Sequence, residues 1–154
     1  MPDEVTVVKA REDAREGKSP STQAGEFVHE EIEHVREGKH GARSTKQAIA
    51  IGLSKARRAG VKLPAPKRGS KRTKQGAVRD LKAARGSAKS PSRRRSAAAE
   101  KALKRESKST ASRAALSKQA RTVARRRSAA DRSAAARKAA RTRSRTSRSR
   151  KPRK

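Results

Sequence analysis

The sequence predicts a mainly α protein: a short two-helix hairpin module followed by a long basic, largely disordered tail with nascent helices. Three observations predict it. Of the larger apolar residues, only Val78, Leu81, Leu103, Leu116 and Val123 follow Pro64. Before that proline, two stretches repeat their apolar residues at helical spacing between capping residues. After it, Ala, Ser, Lys and Arg dominate, a composition too poor in large apolar groups to bury a core.

Residues 1–19 read as a flexible N-terminal segment. Asp3 and Glu4 stand where a secretory signal needs positive charge, and the run Val5-Thr6-Val7-Val8 is too short for its apolar part. That run is available to pack on the module behind it.

The module spans 20–63. Ala24, Phe27, Val28, Ile32 and Val35 fall on one stripe of a helix over about 22–37, with Ser21 or Thr22 as cap and Gly38 as its end. A connector over 38–43 leads to Ser44 and Gln47, which have capping-box spacing for a second helix over about 45–59. Gly60 suits a left-handed C′ position, with Val61 folding back on Ala56. Ile49, Gly52, Leu53 and Ala56 share a face, and Gly52 lets the first helix approach closely. Ile51 projects off that face, which, with the small size of the module, points to a homodimer through the hairpin.

Leu63-Pro64-Ala65-Pro66 reads as the joint to the tail, 64–154. Alanine and arginine favour helix and the serines can cap it, so partial helices are expected near 74–85, 96–106 and 110–140. Without an apolar stripe to bury, they should fluctuate. Residues 141–150 should be disordered.

Charge divides the chain in the opposite sense. Of the net +31, residues 1–60 contribute 11 basic against 10 acidic groups, and residues 61–154 contribute 34 against 4. Such an excess calls for a polyanionic partner, and its richness in arginine fits bidentate pairing with phosphate. The expected partner is DNA, bound without sequence preference by a histone-like, nucleoid-associated protein that coats, condenses or bridges it. The single aromatic residue, Phe27, leaves no stacking platform for single strands or RNA recognition. An RNA- or ribosome-associated protein is one alternative. An adaptor whose hairpin recruits a protein partner to nucleic acid is another.

The expected phosphate contacts are Lys46, Lys55, Arg57 and Arg58 on the hairpin, then Lys67, Arg68, Lys71, Arg72 and Lys74. Further along the tail come Arg93, Arg94, Arg95, Arg125, Arg126 and Arg127. The last set is Arg141, Arg143, Arg145, Arg148, Arg150, Lys151, Arg153 and Lys154. A helix-turn-helix reader normally adds a third bracing helix and several base-reading side chains, and here only Gln47 qualifies. Ser90-Pro91-Ser92-Arg93-Arg94 could take a phosphate, which would cancel local positive charge.

No catalytic constellation is visible, so the chain is not expected to be an enzyme or to bind a small-molecule substrate, and no cofactor is expected. Cysteine is absent. In His29-Glu30-Glu31-Ile32-Glu33-His34 the histidines are five apart, on opposing sides of a helix, so a zinc-protease pairing fails and no metal is expected. Glu26, Glu30, Glu33 and Glu37 read as an acidic ridge opposite the apolar stripe, a solvent face or a transient dock for the tail. No run approaches a membrane span, and the chain reads as cytoplasmic.

The segment Glu33–Gly60, with Lys46-Gln47-Ala48-Ile49-Ala50-Ile51 at its centre, resembles a family of small bacterial proteins of uncharacterised function. Its members share a KQAIAI-type helix and are often labelled DNA-binding. The resemblance covers about 20–64 and implies a bacterial, cytoplasmic protein. It carries over no catalytic or binding residues. The basic tail is similar in composition to linker-histone tails and bacterial histone-like proteins.

Overall fold

In a computed structural model of the chain, residues 2–86 and 92–149 are described, with side chains as far as Ser144. Their elements, in order, are α1 (Glu4–Arg15), α2 (Pro20–Glu37), α3 (Thr45–Arg58), α4 (Lys71–Ala83), α5 (Arg93–Lys104), a 3₁₀ turn (Ser109–Ala111), α6 (Arg113–Arg125) and α7 (Ala129–Ser149). By its contacts the chain divides into two compact units, Met1–Leu116 and Ser117–Lys154. No helix among the described residues is long and apolar enough to cross a membrane.

The expected two-helix hairpin with a largely disordered tail is therefore replaced by an all-helical chain. Residues 1–19, read as flexible, contain α1. Its buried positions are Thr6, Ala10 and Asp13, with Val7 packed beside them, while Val5 and Val8 are exposed. A stripe of such small and polar residues carries almost no hydropathy signal, although it fits closely against α2.

The paired helices form around local chemistry. α2 starts earlier than Ser21 or Thr22, behind Ser19 with Pro20 in its first turn, where a missing N–H costs nothing. It ends on Gly38 at φ 81°, where the Lys39 and Gly38 amides donate to the His34 and Val35 carbonyls at 3.0 and 3.2 Å. Ser44 Oγ accepts from the Gln47 amide at 3.2 Å, and Gln47 Oε1 accepts from the Arg43 amide at 2.9 Å. α3 stops at Gly60, φ 97°, with the Val61 amide donating to the Ala56 carbonyl at 3.1 Å. That bond carries Val61 into the first core cluster with Ala10, Ala24, Phe27 and Ala56.

Gly52 sets the distance between α2 and α3. A Cβ there would lie 2.7 Å from Val28 Cα and 2.9 Å from the Phe27 carbonyl oxygen, both main-chain atoms. Gly52→Ala should therefore cost about 1–3 kcal/mol, read as a lower urea midpoint at unchanged slope. Ile51 is half-buried and does not stand out as an exposed apolar residue.

A second cluster, Val35, Ala42, Ala48 and Ala111 with Ile32 beside it, joins the hairpin to a segment more than sixty residues away. Gly41 and Ala42 donate their amides to the Leu103 and Ser107 carbonyls at 2.9 and 3.2 Å. Thr45 Oγ1 donates to the Thr110 carbonyl at 2.6 Å, and Arg36 Nε to that of Ala111 at 3.0 Å. The segment 103–111 is thus a plug seated on the connector. A Cβ on Gly41 would overlap the Glu106 carbonyl. Gly41→Ala should unseat the plug, seen as faster proteolysis at 103–111 while α2 and α3 remain protected.

The helices of the former tail form without a wide apolar stripe because their anchors are small or polar. α4 buries Ala77 and Asp80. Serines cap the helix starts: Ser70 Oγ accepts from the Thr73 amide at 3.2 Å, Ser112 Oγ from Ala115 at 3.2 Å and Ser128 Oγ from Asp131 at 3.0 Å. α7 runs through most of 141–150, the stretch expected to be disordered, and its described side chains are exposed. Alanine and arginine propensity, the Ser128 cap and Asp131 in the first turn are what its sequence supplies for helix. Ser90 and Pro91, the suspected phosphorylation segment, lie outside the described residues.

Candidate nucleic-acid interface

α4 presents a basic outer face on a helix held from its inner side. Its inner side is fixed by Asp80, which accepts from Ser54 Oγ at 2.7 Å through Oδ2 and from Arg58 Nε at 2.8 Å through Oδ1. Ala77 fills the space beside it. At 100° per residue, Lys71, Arg72, Arg79 and Lys82 fall within one outward arc of about 100°, away from Ala77 and Asp80. All four are exposed. Lys74 is exposed on a different side, and Lys67 and Arg68 are exposed just before the helix.

Beyond it, Arg93, Arg94 and Arg95 open α5 and are exposed. In the second unit, Lys118, Arg121 and Arg125 lie on one face of α6 at three- and four-residue spacing, followed by exposed Arg126 and Arg127. α7 carries seven Arg and Lys residues against one acid, Asp131. Of these, Arg137, Lys138 and Arg141 fall on one side, and Arg143 on another. Arg145 and Arg148 belong to α7 by backbone position. Arg150, Lys151, Arg153 and Lys154 lie outside the described residues.

On the hairpin the expected contacts separate. Lys46 is exposed in the first turn of α3. Arg58 is largely exposed but pairs with Asp80. Lys55 and Arg57 turn inward instead of toward solvent. Arg57 is buried and donates to the carbonyls of Leu63 and Pro64 at 3.2 and 3.3 Å, which holds the supposed joint against α3. The helical register that places Ala56 in the core also directs its neighbour toward the returning Leu63-Pro64 segment.

Lys55 meets the acidic ridge. Its Nζ donates to Glu30 Oε1 at 3.1 Å and stands 2.8 Å from Glu31 Oε2. Glu30 and Glu31 are buried, so the ridge of Glu26, Glu30, Glu33 and Glu37 is broken in its middle and is not a continuous solvent face. Burial acts to lower the Lys55 pKa. The contact and charge of Glu31, then those of Glu30, outweigh it and hold the ammonium above the ordinary lysine value.

Arg79, Lys82, Lys118 and Arg121 were not singled out by charge density along the sequence. The signal that finds them is three- and four-residue spacing inside helices that the sequence predicts only as partial and fluctuating.

Residues 22–68, under a third of the chain, match a family of unknown function (DUF6496). The match covers nearly all of α2, the whole of α3 and the irregular segment that follows it as far as Arg68. No match is found among curated proteins or among solved structures.

Proposed function

We propose that this chain binds duplex DNA without sequence preference, as a nucleoid-associated, histone-like protein that coats or bridges it. The observation that carries the reading is the outward basic face of α4, Lys71, Arg72, Arg79 and Lys82, on a helix anchored by its opposite side to α3. A helix held in this way presents its cations without ordering them anew on binding, and their spacing along one face suits successive phosphates. α7 supports the same reading. Its 21 residues extend about 31 Å, close to one turn of B-form duplex.

Affinity arises chiefly from counterions released as phosphates are neutralised, and carries little sequence information. Arginine-rich faces without stacking aromatics favour duplex over single strand.

Charge reversal of Lys71, Arg72, Arg79 and Lys82 to Glu tests the reading. Each lost phosphate contact should reduce the slope of log affinity against log salt by about 1, so the variant should lose about 4 on a random-sequence duplex. An unchanged slope would remove α4 from the interface. In competition at matched salt, duplex DNA should displace a structured RNA. Crosslinking in cells that recovers mostly ribosomal RNA would replace DNA with RNA as the partner.

A further inference from the structure

The two histidines that cannot meet along α2 leave a different pair close together. His29 is exposed. The turn at Gly38 brings His40 back toward His34, their rings edge to face with centroids 6.2 Å apart. Glu31 lies between them and the core, with no exposed surface. One donor atom each from Glu31, His34 and His40 lie within 4.8 Å of one another.

The hydrogen bonds of this cluster require a cation. His40 Nδ1 is 3.1 Å from the Gly41 carbonyl oxygen, which can only accept, so Nδ1 carries the proton. In a neutral ring the lone pair is then on Nε2, and Nε2 faces Glu31 Oε1 at 3.3 Å. Two acceptors face each other unless a positive charge is shared between them. Neither Glu31 oxygen receives a hydrogen bond of good geometry; the Lys55 ammonium at 2.8 Å from Oε2 is an ion-pair contact.

The charges are out of balance in the same direction. Asp3 Oδ2 stands 3.4 Å from His34 Nε2, and Glu30 Oε1 stands 4.0 Å from its Nδ1. The ammonium of Lys55 pairs with Glu30 and Glu31 alone, and Asp3 faces His34 from the other side. The Asp3 side chain is 58% exposed, so the buried part of the cluster is two carboxylates, Glu30 and Glu31, against one ammonium, one positive charge short inside a chain whose net charge is +31.

We propose that Glu31, His34 and His40 form a binding site for one divalent transition-metal ion, with Zn²⁺ the best fit. Two imidazoles and a carboxylate are a zinc donor set, and a water or Glu30 can complete four-coordination. His40 Nδ1–H on a backbone carbonyl is the outer-shell contact that fixes a ligating ring with Nε2 toward the metal. Tetrahedral bonds of about 2.0–2.1 Å place donors about 3.4 Å apart, so the present spacing closes by side-chain rotation of about an ångström. His34 and His40 keep 13 and 17% of their side-chain surface exposed, which leaves an entry path. The ion would clamp α2 to the connector that seats the 103–111 plug.

The test titrates Zn²⁺ into the full chain, freed of nucleic acid in high salt and carrying no histidine tag, by calorimetry. One ion per chain is expected, and Co²⁺ in its place should show the visible absorption of a tetrahedral site. His40→Gln and Glu31→Gln should each weaken binding by about 100-fold or more, and His29→Gln by less than about twofold. Should Glu31→Gln fail to fold by circular dichroism, His40→Gln carries the comparison, since it removes a side chain that reaches solvent and not a fully buried one. Lack of one-to-one binding overturns the proposal. So does binding that survives His40→Gln or is lost in His29→Gln.

Discussion

Raising monovalent salt from about 50 to 200 mM is expected to weaken binding of the full chain to a random-sequence duplex by about 10³–10⁵. The estimate takes six to ten engaged cations. The exposed residues available exceed that number: Lys46, Lys67, Arg68 and the outer face of α4 in one unit, and those of α6 and α7 in the other. With ten engaged, log affinity should fall against log salt with a slope of about −9. Anisotropy titrations at several salt concentrations, on duplexes of unrelated sequence, measure both quantities. A slope shallower than about −3, or a preference among sequences exceeding tenfold, would place the affinity in base contacts and not in phosphates.

Lys55→Met is expected to destabilise the unit Met1–Leu116 by about 3–5 kcal/mol in the presence of a chelator, because it leaves Glu30 and Glu31 buried without their ammonium. Denaturant unfolding measures the loss. Adding Glu31→Leu should recover part of it, since an apolar replacement removes the charge that had lost its partner. The sign of the pH dependence follows from the raised Lys55 pKa. The ammonium's stabilisation is complete below the unfolded value of about 10.4 and is lost as pH rises through the higher folded value. Wild-type stability should therefore fall more steeply above about pH 10.4 than that of Lys55→Met. A flat comparison would mean that the ion pairs contribute nothing.

What could be read in the sequence was local chemistry. Gly38 and Gly60 end their helices in the left-handed conformation, Ser44 caps α3, and Gly52 admits the backbone of Val28. Each depends on residues within a few positions or on one helical face. The docking of 103–111 was unreadable because it rests on main-chain donors and acceptors and on Ala111, which no hydropathy pattern marks. The same holds for α1, whose inner side is Thr6, Ala10 and Asp13. Charge density located the basic region but not the side chains committed elsewhere, since Arg57 and Lys55 look like their exposed neighbours. Which arginine points outward depends on a helical register, and a helix expected to fluctuate for want of an apolar stripe has no fixed one.

The Ala111 plug also bears on how the chain is made. Residues 22–68 emerge from the ribosome with one core cluster closable, by Phe27, Ala56 and Val61, and the other lacking its Ala111 side. At about 5–20 residues per second, the 43 positions from Arg68 to Ala111 take about 2–9 s to synthesise. Through that interval Val35, Ala42 and Ala48 lack the cover of Ala111. Completion of the second core is thus tied to the arrival of the basic half.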